Sequence, residues 1–148
     1  MRYSEGDFRV VRKQVYRTVW LSDVHLGSRD CHAEYLISFL QNADTRRLYL
    51  VGDIVDILAI KRRLFWPASH YQVLKLIHDK VLEGTKVIYI PGNHDASFRE
   101  FVDGQLLNIE ICHQYIHLTA AGKRLLVMHG DELDHAILYR RLNRLIGD

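Results

Sequence analysis

Residues 86–95 read KVIYIPGNHD. The first half is a short run dominated by strand formers. The second is Pro-Gly followed at once by an amide, an imidazole and a carboxylate. Such a run reads as a buried strand that stops in a tight turn. Turn chemistry alone accounts for an Asn or Asp there, so the reading depends on how the other strands end.

They end the same way. RTVWLS (17–22) leads into Asp23-Val24-His25, and RRLYLVGD (46–53) ends in Gly52-Asp53 and continues to Asp56. KRLLVMHG (123–130) closes on His129-Gly130, with Asp131 next. Between the first three runs lie two amphipathic patterns. One covers 30–42 through Ala33, Leu36, Ile37, Phe39 and Leu40; the other covers 69–83 through Val73, Leu74, Ile77 and Val81, with a stop at Gly84. The alternation predicts an α/β fold, a parallel or mixed β-sheet with crossover helices. Ligands of such sheets bind beyond the carboxyl ends of the strands, where the polar residues recur. Further along, a short helix is expected over 97–107. A hairpin should pair 109–118 with 123–130 around Ala121-Gly122, and a basic helix should cover 134–146.

Composition sets bounds. A chain of 148 residues with 48% hydrophobic and 26% charged residues is expected to form a single domain over 1–148. A net charge of +2 gives no argument for nucleic acid. Cys31 and Cys112 form no CxxC pair and read as reduced thiols. The start is polar and basic, and no apolar run approaches a membrane span. A cytoplasmic location is therefore expected. The basic and aromatic segment KRRLFWPASH (61–70) leaves room for peripheral contact with the inner membrane.

Oxygen and imidazole donors at four strand ends suit two divalent ions. In an extended Asp-x-His segment both side chains point to one face, and an Asp from the neighbouring strand can bridge two cations. Cysteine is absent from the set, so Mn, Fe, Zn or Mg is indicated ahead of a thiolate zinc site, with Mn²⁺ preferred.

The blocks DVH (23–25), GDIVD (52–56), GNHD (92–95) and HGD (129–131) resemble those of the calcineurin-like metallophosphoesterases. The resemblance implies the N-terminal portion of a four-layer α/β/β/α fold and a metal-dependent phosphohydrolase. It implies Asp23 and His25 as ligands of one ion, Asp53 as the bridge, and Asn93 and His129 as ligands of the other. His94 would act catalytically at the leaving oxygen, Asp95 would orient it, and Asp56 and Asp131 would stand behind the ligands. DVHLGS, LVGDIVDI, IPGNHD and VMHGDELD are most similar to the UDP-2,3-diacylglucosamine hydrolase branch, implying a phosphorylated small-molecule or lipid-linked nucleotide substrate. A general phosphomonoesterase or phosphodiesterase, or a non-catalytic scaffold of the same fold, is the alternative.

This chain departs from the branch at His94, where its best-known members carry Arg. The family's closing Gly-His-x-His block is also missing. The domain is thus expected to be incomplete at its C-terminal side, with each ion one protein ligand short and turnover slow. The segment 61–70 reads first as a solvated, partly packed loop, with Arg62 and Arg63 as candidate substrate contacts.

Overall fold

The computed structural model describes residues 13–131 and 133. Along the chain come β1 (Gln14–Leu21), α1 (Ala33–Asn42), β2 (Ala43–Val51), α2 (Ile57–Arg62), α3 (Ala68–Leu82) and β3 (Lys86–Ile90). A 3₁₀ segment (Ala96–Phe101), β4 (Gln105–Leu106), β5 (Ile109–Ile111), β6 (Tyr115–Leu118) and β7 (Arg124–Val127) follow. The first sheet has the order β1-β2-β3-β5-β4, parallel except for the antiparallel β4 at its edge. β6 and β7 form a separate antiparallel pair. This is the mixed α/β architecture expected of the metallophosphoesterase fold.

Period-two alternation on β2 and β3 builds a core on both faces. Leu48, Leu50, Val87 and Tyr89 turn to one side, where Ala33 and Leu40 of α1 and Val73 and Ile77 of α3 cover them. Tyr49, Ile88 and Ile90 turn to the other, against Tyr115 and Val127 of the second sheet. Helices thus cover one face and the β6–β7 pair the other. Tyr49 joins the layers: its ring stacks on Trp20 at 5.7 Å and its hydroxyl meets Nδ1 of the buried His117 at 3.0 Å.

Three elements differ from expectation. The run 109–118 is not one strand but two, β5 and β6, in different sheets. β5 ladders onto β3 only at Ile88↔Glu110 and Tyr89↔Ile111. β3 itself ends at Ile90, so the ladder loses its partner and the chain crosses to the second layer. The helix over 97–107 stops at Phe101, and a hairpin takes over, turning through Leu107 and Asn108 with φ of 53° and 62°. α2 was not foreseen; the carboxylate of Asp56 starts it by accepting from the Ala59 N–H at 2.7 Å. The basic helix expected over 134–146 lies outside the described residues. Among those described, no helix is long and apolar enough to cross a membrane.

Candidate metal centre

The carboxyl ends of β1, β2 and β3 are laced together by their backbones. Asp23 N–H donates to Gly52 O at 3.2 Å, His25 N–H to Asp53 O at 2.9 Å, and Gly52 N–H to Ile90 O at 2.7 Å. Within this weave Asp23, His25 and Asp53 adopt left-handed backbone conformations, with φ of 53°, 54° and 55°. Each such residue without the freedom of glycine costs on the order of 1 kcal/mol. Three together at strand ends hold side chains at angles an extended strand does not offer.

The left-handed turns separate Asp23 from His25. Neither keeps the extended backbone assumed for Asp-x-His. Asp23 joins Asp53 and His129, with one potential ligand atom from each lying within 4.8 Å of the others. His25 joins Asp56 and His94 in a second group meeting the same limit. Asn93 stands exposed in the turn between His94 and Gly92.

In the first group, Asp53 is buried and its Oδ1 accepts the His94 backbone N–H at 2.9 Å. Its Oδ2 is 3.7 Å from His129 Nε2. The His129 ring rests on two glycines. A Cβ on Gly52 would sit 1.9 Å from His129 Cδ2, and one on Gly92 would sit 2.3 Å from Asp53 Oδ1 and 2.8 Å from the ring. Only backbone without a side chain can approach so closely. Asp131 Oδ1 lies 3.3 Å from His129 Nδ1. Burial pushes the Asp131 carboxyl upward, but contacts from Arg99 and His129 outweigh it and hold the group below the usual carboxylate range.

In the second group, the Asp56 carboxylate stands between two imidazoles: Oδ2 is 3.2 Å from His25 Nδ1, and Oδ1 is 3.0 Å from His94 Nδ1. The His94 contact is close enough for an ion pair when the ring is protonated, but makes no hydrogen bond. The two rings meet edge to face at 4.7 Å. Asp56 raises the His94 pKa above the ordinary imidazole value, against the lowering effect of burial. For Asp56 itself, burial acts upward and is outweighed by its contacts with His94, Ala59 N–H and His25, which lower it.

Asp95 was expected to orient His94, but its carboxylate is engaged elsewhere. It is fully buried. Its Oδ2 accepts from Ile54 N–H at 2.8 Å and from the Tyr89 hydroxyl, and its Oδ1 from Gly92 N–H at 2.6 Å. Asp95 ties the β2 turn to the β3 turn, and the carboxylate beside the His94 ring is that of Asp56. The sequence signal was the Asp at the end of GDIVD, which served double duty as a helix cap. Arg62 and Arg63 are exposed at the far end of α2, about 9 Å along its axis from Asp56. Phe65 and Trp66 of the same segment pack edge-on against His70.

The donor set fits hard or borderline divalent cations: two carboxylates and an imidazole converge in one group, and sulfur is absent. An α/β sheet carrying such candidate groups at its carboxyl edge is the arrangement of the metallophosphoesterase class. The family model for calcineurin-like phosphoesterases matches residues 16–146, and the chain belongs to that family.

Among curated relatives, the UDP-2,3-diacylglucosamine hydrolase of Histophilus somni (strain 2336) is 26% identical over 79% of this chain and 50% of its own length. That of Porphyromonas gingivalis is 27% identical over 82% and 47%. The DNA polymerase II small subunit of Methanothermobacter thermautotrophicus is 25% identical over 89% of this chain and 34% of that subunit. The chain therefore spans half the length of these relatives or less. The crystal structure of Pseudomonas putida nuclease MPE is similar over 70% of this chain and 51% of that one, with a TM-score of 0.43 and 22% identity.

Proposed function

We propose that the chain carries the catalytic metal centre of a phosphoester or pyrophosphate hydrolase, and that its substrate resembles UDP-2,3-diacylglucosamine. The observation that carries the reading is the convergence of Asp23, Asp53 and His129 from three separate strand ends. Asp23, Asp53 and His129 would hold one part of a two-ion site, with His25 and Asn93 completing the set this chain offers. Mn²⁺ is the ion we favour, with Fe, Zn or Mg as substitutes. Such ions supply Lewis-acid polarisation of a phosphoryl oxygen and a water acidic enough to attack at neutral pH.

The protein's own groups do the rest. Asp56 favours the protonated form of the His94 imidazole, and His94, a third exposed, would deliver a proton to the departing oxygen. Asp95 keeps the two turns in register. An open groove of about 710 Å³ begins at Asp23 and His25 and runs between β1 and α1, walled by Trp20, Leu21, Leu36 and Phe39. Apolar walls beside a phosphoryl site favour a substrate with an apolar part, which supports the diacylated class. A general phosphomonoesterase or phosphodiesterase is the second reading.

The test is hydrolysis with added Mn²⁺ of three compounds: UDP-2,3-diacylglucosamine, bis(p-nitrophenyl) phosphate and p-nitrophenyl phosphate. The reading expects a higher kcat/KM for the first, abolished by Asp53→Asn. Turnover confined to the diester would move the assignment to the second reading. No turnover of any compound by the full-length protein would favour a scaffold.

A further inference from the structure

His129 reaches the centre from a different layer than its partners. Asp23 and Asp53 follow strands of the first sheet, whereas His129 follows β7 of the second. The Tyr49–His117 hydrogen bond ties the two layers in their middle, but a metal site needs its ligands held to about half an ångström where they converge. Something directional must pin the β7 turn to the first sheet.

Arg99 is placed to do so. It projects from the 3₁₀ segment that follows the β3 turn, and its Nη2 donates to Asp131 Oδ2 at 2.5 Å. The same nitrogen lies 3.4 Å from the carbonyl of Pro91, the residue before the glycine that touches His129. The other Asp131 oxygen, Oδ1, faces His129 Nδ1 at 3.3 Å. With Nδ1 engaged, Nε2 is left toward Asp53 Oδ2 at 3.7 Å. Guanidinium, carboxylate and imidazole thus form one line from the first sheet's turn to the candidate ligand atom. A carboxylate behind a ligating histidine fixes its tautomer and ring angle; here the carboxylate is itself held by a single guanidinium nitrogen, Arg99 Nη2, that also reaches the Pro91 carbonyl.

We propose that Arg99 is a positioning residue for the metal centre, acting through Asp131 to aim His129. This rests on the reading of Asp23, Asp53 and His129 as a metal set. Arg99 need not touch substrate or metal. Its effect passes entirely through Asp131, so removing Asp131 first should leave Arg99 with nothing to transmit.

The experiment is a double-mutant cycle on the 148-residue chain, read by calorimetric titration with Mn²⁺ and by melting of the metal-free protein. Arg99→Ala and Asp131→Asn are each expected to weaken Mn²⁺ binding by about 10- to 100-fold. The double variant should be no weaker than Asp131→Asn alone. Arg99→Lys, which keeps the charge but loses the planar guanidinium and its reach, should recover only part of the loss. Additive losses would overturn the proposal, as would a lowered metal-free melting temperature with Mn²⁺ affinity unchanged. His129→Ala separates this from the parent reading. If it weakens Mn²⁺ binding and Arg99→Ala does not, only the role of Arg99 fails. If neither does, or the parent chain binds no Mn²⁺, the metal reading fails with it.

Discussion

Asp56 Oδ1 lies 3.0 Å from Nδ1 of His94, while Asp95, the sequence neighbour of His94, is buried among backbone donors. Two carboxylates that look interchangeable in the sequence therefore have separable duties. Asp56→Asn should reduce kcat by about 10- to 100-fold while leaving the melting temperature close to that of the parent. Combining it with His94→Ala should add little beyond His94→Ala alone. A fully additive double variant would remove Asp56 from the His94 pathway.

Asp95→Ala should do the opposite and unfold the protein before it touches chemistry. Three main-chain donors and the Tyr89 hydroxyl converge on that carboxylate. Leaving them unmet should cost about 3 kcal/mol or more, read in denaturant melts. A stable but inactive Asp95→Ala would restore the orienting role expected from the sequence.

Gly92 and Gly52 should tolerate no side chain. Gly92→Ala would place a methyl 2.3 Å from Asp53 Oδ1, and Gly52→Ala would place one 1.9 Å from His129 while holding φ at +67°. Each should destabilise by about 1–3 kcal/mol and weaken Mn²⁺ binding. The titration above measures both; an unchanged affinity for either variant would show that the His129 ring is not seated there.

Metal should stabilise the fold measurably without any substrate. At a concentration one hundred times its Kd, Mn²⁺ should add about 2.7 kcal/mol to the unfolding free energy. Asp23→Asn and His129→Ala should each reduce that gain, and EDTA should abolish it. Melting curves indifferent to both Mn²⁺ and EDTA would contradict the centre.

His70 links stability to pH. It is buried in α3, and its Nδ1 accepts the Gly27 N–H at 2.9 Å, which requires the unprotonated nitrogen. Burial lowers its pKa more than Glu34 raises it. The unfolded chain, with an imidazole near 6.5, then binds more protons than the folded one between the depressed value and about 6.5. Stability from this group is complete above that window and is lost as pH falls through it. His70→Asn keeps an acceptor without a titrating ring, so its melting temperature should vary less steeply between about pH 5 and 7. An unchanged slope would assign the acid sensitivity elsewhere.

The central strands were legible because period-two burial on both faces and abrupt polar endings are local signals. Val87 through Ile90 show this clearly, all buried and followed at once by the turn. What escaped was set by neighbours. The break at Cys112 follows from where β3 stops, a fact about another strand. The left-handed turns at Asp23 and His25 depend on hydrogen bonds to residues 52 and 53. No spacing rule reveals that these turns send the two side chains into different clusters. The four strand-end blocks were readable; the distribution of Asp56 and Asp95 between His94 and the backbone was not.

The chain has two tryptophans, and they lie on opposite sides of the first sheet. Trp20, partly exposed, stacks on Tyr49 and meets His117 in a T-shaped contact at the seam with the second sheet. Trp66 meets the edge of His70 on the helical side. Each indole is therefore an optical reporter for one layer. Removing Trp66 would leave an emission that tracks how β6 and β7 dock, and removing Trp20 one that tracks α3. The order in which the two layers come apart can then be followed by light alone.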